Sequence, residues 1–137
     1  MADRTLTRKP ARELAKLIRG RAVSPVEVLD AHLAAIEATN PKLNAIITLA
    51  AEAAHDAARR AEDAVMRGEE LGALHGLPIA IKDNTLTKGI RTTYASPLYK
   101  DFVPGEDAEV VRRLARDRKS TRLNSSHVRL SRMPSSA

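Results

Sequence analysis

The chain has 137 residues, of which 43% are hydrophobic, and this is enough for one ordinary domain with a modest core. It contains no cysteine, which excludes a disulfide framework and a thiolate metal site and fits a reducing compartment. The formal net charge is +6, but residues 117–137 hold five basic side chains against one acid, so residues 1–116 carry only +2. The body therefore lacks the basic patch and the aromatic platforms of a nucleic-acid-binding surface.

Signals for membrane insertion and secretion are absent from the sequence. No stretch approaches the roughly 18 consecutive apolar residues of a membrane span, and the first ten residues hold no apolar segment. We therefore expect a soluble, cytoplasmic protein. No residue pattern calls for a cofactor or a metal.

Two helices open the predicted order of elements. The first lies in "PARELAKLIRG" and ends at Gly20, where a helix C-terminus favours a left-handed residue. The second begins at Ser24, which has Pro25 after it and Glu27 three residues later, the arrangement of a capping box. Its apolar residues Val26, Leu29, Leu33 and Ile36 recur at helical intervals, and Asn40 with Pro41 is predicted to end it.

Strands and helices then alternate. "LNAIITLA" predicts a short buried strand, residues 51–66 a third helix that Gly68 terminates, and residues 77–81 the core of a second strand. The turn-rich residues 84–107 are long for a connection and indicate a functional loop. A fourth helix starts at the candidate cap Asp107 and places Val110, Val111 and Leu114 on one side. This order predicts an α/β fold, although two strands are too few for these helices to cover.

Residues 117–137 differ in character from the rest of the chain. They contain six serines and no glycine, which predicts a disordered basic tail. Back-translation of "DRKSTRLNSSH" also gives codons that resemble a common sequencing-library adapter. We therefore expect residues 1–116 to be the N-terminal fragment of a longer domain and residues 117–137 to be a non-native tail, which fold reasoning must exclude.

Lys82 stands at the end of the apolar run in "GLPIAIKDN" and has two interpretations. A lysine at a strand end usually packs its stem and extends its ammonium group to solvent. Alternatively, the strand ends at the carboxyl edge of an α/β sheet, where ligand sites of such folds lie. Partial burial there would lower the pKa of the lysine, so that a neutral amine could accept a proton.

Several separated blocks resemble one known family. "LHGLPIAIKDN", "TKGIRTTYASPLY" and "FVPGEDAEVVRRL" are similar in order to the N-terminal part of the amidase signature family, and the resemblance covers about residues 10–116. It implies helices around a mixed central sheet, incomplete in this chain. It also implies hydrolysis of carbon–nitrogen bonds in non-peptide amides by a Ser-cis-Ser-Lys triad, with small-molecule amides as substrates and no cofactor.

Of that triad, the resemblance assigns only Lys82 to this chain, as the proton acceptor. Asp83 is a candidate to orient Lys82 or its loop, although an aspartate after a strand is equally typical of a turn. The family's serines belong to a glycine- and serine-rich signature that is not found here. Ser125 and Ser126 lack the flanking glycines that such a loop needs, so we do not expect them to be catalytic. The fragment alone is expected to be inactive.

Other side chains receive weaker interpretations. His32, His55 and His75 are expected to be packed or solvated and not to bind a metal. Thr92, Thr93, Tyr94 and Ser96 fall in the loop that would border the family's substrate cleft, and the residues alone assign them no roles.

Alternative functions remain open at this point. "TTYASPLYKDFVPGEDA" resembles the stand-alone amidases more closely, and the A subunit of the aspartyl/glutamyl-tRNA amidotransferase is the second candidate. Of these two candidates only the amidotransferase subunit would involve nucleic acid, and a homodimer of the full-length protein is also left open. A rival of another class is a small helical interaction module with a basic nucleic-acid-binding arm, whose salt-sensitive binding would vanish on deletion of residues 117–137.

Overall fold

The computed structural model describes residues 5–117 and the strand at residues 127–130. The four helices are α1 (Ala11–Arg19), α2 (Pro25–Leu43), α3 (Ala51–Met66) and α4 (Glu109–Asp117). The three strands are β1 (Thr48–Leu49), β2 (Ile79–Lys82) and β3 (His127–Leu130), and single 3-10 turns lie at Leu6–Arg8 and Pro97–Tyr99. Within the described ranges, no helix is long and apolar enough to cross a membrane.

The three strands form one mixed sheet in the order β1-β3-β2. β3 pairs antiparallel with β1 and parallel with β2, and Lys82 lies opposite Leu130 at the end of the parallel ladder. The α/β class with a mixed sheet agrees with the prediction. The predicted first strand is shorter than expected, with only two residues, and Leu49 is half exposed.

The position of β3 differs from what the tail composition predicts. Disorder is the expectation for His127–Leu130, but these residues form the middle strand, and Asp117 lies in the last turn of α4. "HVRL" alternates polar and apolar residues, the period of a strand, and the gap between β1 and β2 offers backbone groups on both sides. The remaining residues of the predicted tail lie outside the described part of the chain, and its non-native origin stays a prediction.

The capping box predicted at the start of α2 is present. The Ser24 hydroxyl accepts a hydrogen bond from the Glu27 backbone N–H at 3.1 Å, and the Glu27 carboxylate accepts one from the Ser24 N–H at 2.8 Å. Two backbone donors that the first turn of a helix leaves without partners are thereby satisfied.

The end of α2 comes later than the sequence predicts. The helix passes through Pro41 to Leu43, and Asn44 takes the left-handed conformation with φ 47°. Asn40 stabilises this end, because its Oδ1 accepts hydrogen bonds from the N–H groups of Ala45 and Ile46 at 3.0 and 2.8 Å. These side-chain bonds give partners to two N–H groups that follow the helix, although Pro41 itself has no N–H to donate.

The C-terminus of α1 also differs in detail. Gly20 has φ −76°, and the left-handed residue is Arg21 with φ 58°. The N–H groups of Arg21 and Ala22 donate to the carbonyls of Ile18 and Leu17, which is a Schellman motif with Arg21 in the position usually held by glycine. The Arg21 guanidinium donates to the Val65 carbonyl at 3.1 Å, so it ties this turn to the end of α3. By contrast, Gly68 has φ 71° after α3, as predicted.

The core has two parts. The larger cluster joins α1, α2, the end of α3 and the segment before β2, and its buried members are Leu14, Ala15, Ile18, Val28, Val65 and Leu77. The smaller joins α2 to α3 through Leu29, Ala54 and Ala58, with Val26 and Leu33 partly buried against it. The predicted apolar stripe of α2 is therefore only part of its packed surface, since Val28 is fully buried and Ile36 is not.

Candidate active site

Lys82 is the last residue of β2, and its neighbours alternate in burial. Ile81 is buried, Lys82 is exposed and Asp83 is buried, with only 2% of its surface accessible. Successive residues of extended chain point to opposite faces of a sheet. Lys82 and Asp83 therefore lie on opposite faces, with the lysine on the open face.

The structure can be compared with the two interpretations of Lys82, a solvated lysine or a partly buried lysine at a ligand site. It lies at the carboxyl end of a strand whose neighbour β3 is parallel, which is the edge where the sequence placed a candidate ligand site. Partial burial was also expected there, but Lys82 is exposed within the described residues. The following loop covers the Asp83 side chain through Thr93, whereas Lys82 lies on the opposite face.

The Asp83 carboxylate is held by a residue from the following loop. The Thr93 backbone N–H donates to both carboxylate oxygens, at 3.0 and 3.1 Å, and the Thr93 hydroxyl donates to Oδ2. The Asp83 carbonyl also accepts a hydrogen bond from the Tyr94 N–H at 3.2 Å. A buried carboxylate needs such partners, since burial without hydrogen bonds is costly.

The loop at residues 84–108 is folded back on itself. Backbone bonds join Thr92 to Phe102 at 2.9 Å, Gly89 to Pro104 at 3.0 Å and Ala108 to Leu86 at 2.9 Å. The Asp107 carboxylate accepts a hydrogen bond from the Lys88 N–H at 2.7 Å, while α4 begins two residues after Asp107. The predicted functional loop is therefore an ordered segment with internal pairing.

Arg91 connects this loop to the opposite edge strand, at the same end of the sheet as Lys82. Its guanidinium donates to the carbonyl of Lys100 and to the carbonyl of Ile47, each at 3.0 Å. Ile47 directly precedes β1. The loop is thus tied to β2 through Asp83 and to the start of β1 through Arg91.

Two consecutive residues after Thr93 have left-handed backbone conformations. Tyr94 has φ 52° and Ala95 has φ 55°, which costs about 1–2 kcal/mol for each residue with a side chain. The Tyr94 ring packs with those of Tyr99 and Phe102, with ring centroids 5.3 and 6.5 Å away. These three rings are all the aromatic residues of the sequence, and they form a partly exposed cluster beside the loop.

His32, His55 and His75 are packed or lie at the surface, as expected. The His32 ring contacts the Val28 carbonyl at 2.7 Å, and buried His75 contacts the Ala61 carbonyl at 2.9 Å. His55 lies 3.6 Å from Asp30. Among the described residues, no group of three potential ligands is close enough to hold a metal ion. Ser125 and Ser126 lie outside the described residues.

Thr93 is the site residue to which the sequence assigned no role. It is 8% exposed and makes the bonds that hold Asp83. Thr93 lies ten residues after Asp83 in the sequence, and the fold of the loop brings the two into contact. Turn-forming residues alone do not specify that fold. The adjacent Thr92, also buried, donates its hydroxyl to the Ile90 carbonyl at 3.1 Å.

Comparison with known proteins identifies the family. A family model described as Amidase matches residues 27–117, which include β2, Lys82 and the whole loop after it. The chain belongs to the amidase family. The amidase-signature resemblance found in the sequence is therefore confirmed, and members of this family are hydrolases that act on carbon–nitrogen bonds.

Curated relatives match over most of this chain. It is 41% identical over 104 residues to the A subunit of glutamyl-tRNA(Gln) amidotransferase from Carboxydothermus hydrogenoformans, covering 76% of this chain and 21% of the relative. It is 46% identical over 92 residues to the corresponding protein of a Synechococcus strain, covering 67% of this chain and 19% of the relative. The chain thus spans about a fifth of the length of these relatives.

Solved structures of the family share the fold. The peptide amidase of Stenotrophomonas maltophilia matches with a TM-score of 0.74 and 27% identity, over 94% of this chain and 25% of that protein. A bacterial aryl acylamidase of the amidase signature family matches with a TM-score of 0.74 and 25% identity, over 89% of this chain and 25% of that protein. The α/β architecture of this amidase-family chain is therefore part of the amidase signature fold, as predicted.

Proposed function

We propose that this chain is the N-terminal segment of an amidase that hydrolyses carbon–nitrogen bonds in small, non-peptide amides. The observation that carries the proposal is the family match over residues 27–117, with Lys82 at the carboxyl end of β2 inside it. Ligand sites of open α/β sheets lie at this edge. The open face of Lys82 supports the assignment, since a substrate and the rest of the site can approach there.

In this proposal Lys82 is the base of a Ser-cis-Ser-Lys triad. It accepts a proton, through a bridging serine, from a serine hydroxyl that attacks the amide carbonyl. The leaving nitrogen takes up that proton and departs as ammonia or an amine, and water then hydrolyses the acyl-enzyme. A serine hydroxyl is a weak nucleophile unless an adjacent base accepts its proton, which explains why such chemistry needs a lysine at this point. Both serines are placed outside residues 1–116.

Asp83 has a supporting role in the same proposal. Its carboxylate is buried and faces away from the open side of the sheet, so it does not contact the substrate. Its hydrogen bonds to the loop fix the end of β2, and thereby the backbone from which Lys82 extends. Asp83 is thus proposed to orient Lys82 and not to exchange protons with it.

A second candidate is the A subunit of a glutamine-dependent tRNA amidotransferase. The curated relatives at 41% and 46% identity carry that name, which is the specific observation in its favour. The amide substrate would then be glutamine, and partner subunits and an aminoacylated tRNA would use the product. The reaction at Lys82 is the same in both candidates, so they differ in substrate and partners only.

Ammonia release by the full-length protein carrying this segment separates the two candidates. The stand-alone amidase should release ammonia from simple amides without partners. The amidotransferase component should use glutamine and respond to added partner subunits and misacylated tRNA. Absence of amide hydrolysis under both conditions would refute the proposal as a whole.

We also propose where in the cell the protein acts. We assign the protein to the cytoplasm, because a chain without cysteine suits a reducing compartment and both candidate substrates are soluble. Fractionation of cells that express the full-length protein tests this directly. Recovery with the membrane or in the medium would contradict it.

A further inference from the structure

Thr93 makes a three-point contact with one buried carboxylate. Its backbone N–H reaches both oxygens of Asp83, and its hydroxyl adds a third hydrogen bond to Oδ2. Both residues are more than nine-tenths buried. Hydrogen bonds to an ionised acceptor are roughly twice as strong as neutral ones, so this contact is a strong restraint on the direction of the Asp83 side chain.

That restraint acts on Lys82 through a single peptide bond. In extended chain, the direction of one side chain determines the face on which its neighbour lies. Fixing Asp83 on the buried face therefore fixes Lys82 on the open face. The bond from the Tyr94 N–H to the Asp83 carbonyl restrains the same stretch of backbone at a second point.

Thr93 is itself held in place on both sides. Its hydroxyl oxygen accepts a hydrogen bond from the Ala95 N–H at 3.2 Å, across the left-handed Tyr94. On the other side, the Thr92 N–H is bonded to the Phe102 carbonyl, and Arg91 is bonded to the Ile47 carbonyl. Thr93 thus connects the end of β2 to a loop that is anchored near β1.

We propose that Thr93 is a positioning residue for proton transfer at Lys82, acting through Asp83. This rests on the proposed function of Lys82 and extends it to a residue that does not contact the substrate. Its contribution is geometric: without the hydroxyl, the Asp83 carboxylate loses a partner, and the strand end that carries Lys82 gains freedom. Misplacement of a catalytic group by about 1 Å can cost on the order of 100-fold in rate.

The test compares three variants in the full-length enzyme, with amide turnover as the assay. Thr93→Ser keeps the hydroxyl and should retain kcat to within about threefold of the unchanged enzyme. Thr93→Ala differs from Thr93→Ser only by the hydroxyl oxygen. It should lower kcat by about 10- to 100-fold, with KM changed by less than about threefold. Thr93→Val, with the original shape, should behave like Thr93→Ala.

Thr92→Val is the matched control. Thr92 is the adjacent residue, is also fully buried, and donates its hydroxyl to the Ile90 carbonyl within the loop. It should keep kcat, even where its melting temperature falls as much as that of a Thr93 variant. If Thr93→Val fails to fold, the Ser and Ala pair alone decides the outcome.

Two results would overturn the inference. One is a Thr93→Ala enzyme with unchanged kcat; the other is a loss of kcat that Thr92→Val or Thr93→Ser shares. The proposed function is tested separately by Lys82→Ala in the same assay. An inactive Lys82→Ala enzyme beside a fully active Thr93→Ala enzyme rejects only the role of Thr93, whereas an active Lys82→Ala enzyme rejects the function itself.

Discussion

Gly76 lies where α1, α2 and the chain entering β2 come together. Its φ is +75°, and a Cβ atom placed on it would lie 2.9 Å from Pro25 Cγ and 3.2 Å from Ile18 Cδ1. Both neighbours are buried, so neither can move away easily. Only glycine combines this backbone conformation with so close an approach, and the position of β2 depends on it.

Replacing Gly76 by alanine should therefore destabilise the full-length protein more than the same change at Gly68. Gly68 has nearly the same φ of +71°, but a Cβ atom on it would meet no other atom within 4 Å, so Gly68→Ala should cost only the left-handed backbone, about 1–2 kcal/mol. Gly76→Ala should add about 1–3 kcal/mol for overpacking. Urea denaturation measures both, and equal losses of unfolding free energy would show that the contacts with Pro25 and Ile18 are unimportant.

Residues that act through local chemistry could be predicted from the sequence. Ser24 and Glu27 satisfy the first turn of α2 through bonds within four residues, and the capping box is present as predicted. The left-handed conformation of Arg21 could not be predicted from the sequence. The hydrogen bond that helps to offset its backbone strain is made to a carbonyl of α3, more than forty residues away. Thr93 was missed for the same reason, since its partner Asp83 is brought to it by the loop.

At the scale of elements, α4 shows how one acid can organise a helix. The Glu109 carboxylate accepts hydrogen bonds from Arg113 at 2.9 Å and from Arg112 at 3.0 Å, and Arg116 lies 3.6 Å away. The hydrogen bonds from Arg113 and Arg112 hold the pKa of Glu109 below its ordinary value. Glu109 also stands in the first turn, where a negative charge complements the helix dipole.

The lowered pKa of Glu109 predicts the pH dependence of α4. Because the folded-state pKa lies below the unfolded one, the stabilisation is present above the ordinary carboxyl range and is lost as pH falls through the folded-state pKa. Amide exchange in α4, corrected for intrinsic rates, should therefore accelerate on acidification below about pH 4. Glu109→Gln should exchange faster at neutral pH and lose this pH dependence, while an unchanged profile in that variant would contradict the assignment.

The lengths of elements were harder to predict than their existence. Pro41 indicated a helix end, but Asn40 supplies side-chain bonds that let α2 continue to Leu43. The β-branched residues after Asn44 indicated a short buried strand, and β1 is shorter still, with two residues of which Leu49 is half exposed. The apolar pattern did not specify the end of α2, because it takes no account of side-chain hydrogen bonds such as those of Asn40.

At the scale of the whole molecule, the sheet is narrow for the helices around it. β1 contributes two residues and β2 four, and both stand at edges of the described sheet. Narrow sheets with open edges are marginally stable. The chain also spans only about a fifth of the length of its curated relatives.

We therefore expect the 137-residue chain to unfold without a cooperative transition and to hydrolyse no amide. Calorimetry and an ammonia-release assay on the purified chain measure these two properties. A sharp heat-absorption peak would contradict the first expectation. Turnover that disappears on Lys82→Ala would contradict the second, because it would show that the chain alone holds a complete site.

The position of the candidate site was predictable to the extent that it lies in one short motif. Lys82 and Asp83 follow an apolar run in the sequence, and the structure places them at the strand end, on opposite faces. The exposure of Lys82 agrees with the first of its two interpretations and not with the partial burial of the second, and the sequence could not decide between them because burial at a strand end depends on the segments that cover that edge. No local pattern specifies those segments.

The most direct test of the central claim is the turnover of amides by the full-length enzyme with Lys82→Ala, compared with Lys100→Ala. Lys100 is a surface lysine with its side chain 75% exposed, so its removal should change kcat by less than about twofold. Loss of the proposed base at Lys82 should lower kcat by about 10²- to 10⁴-fold. Equal turnover by the two variants would show that Lys82 is not the proton acceptor.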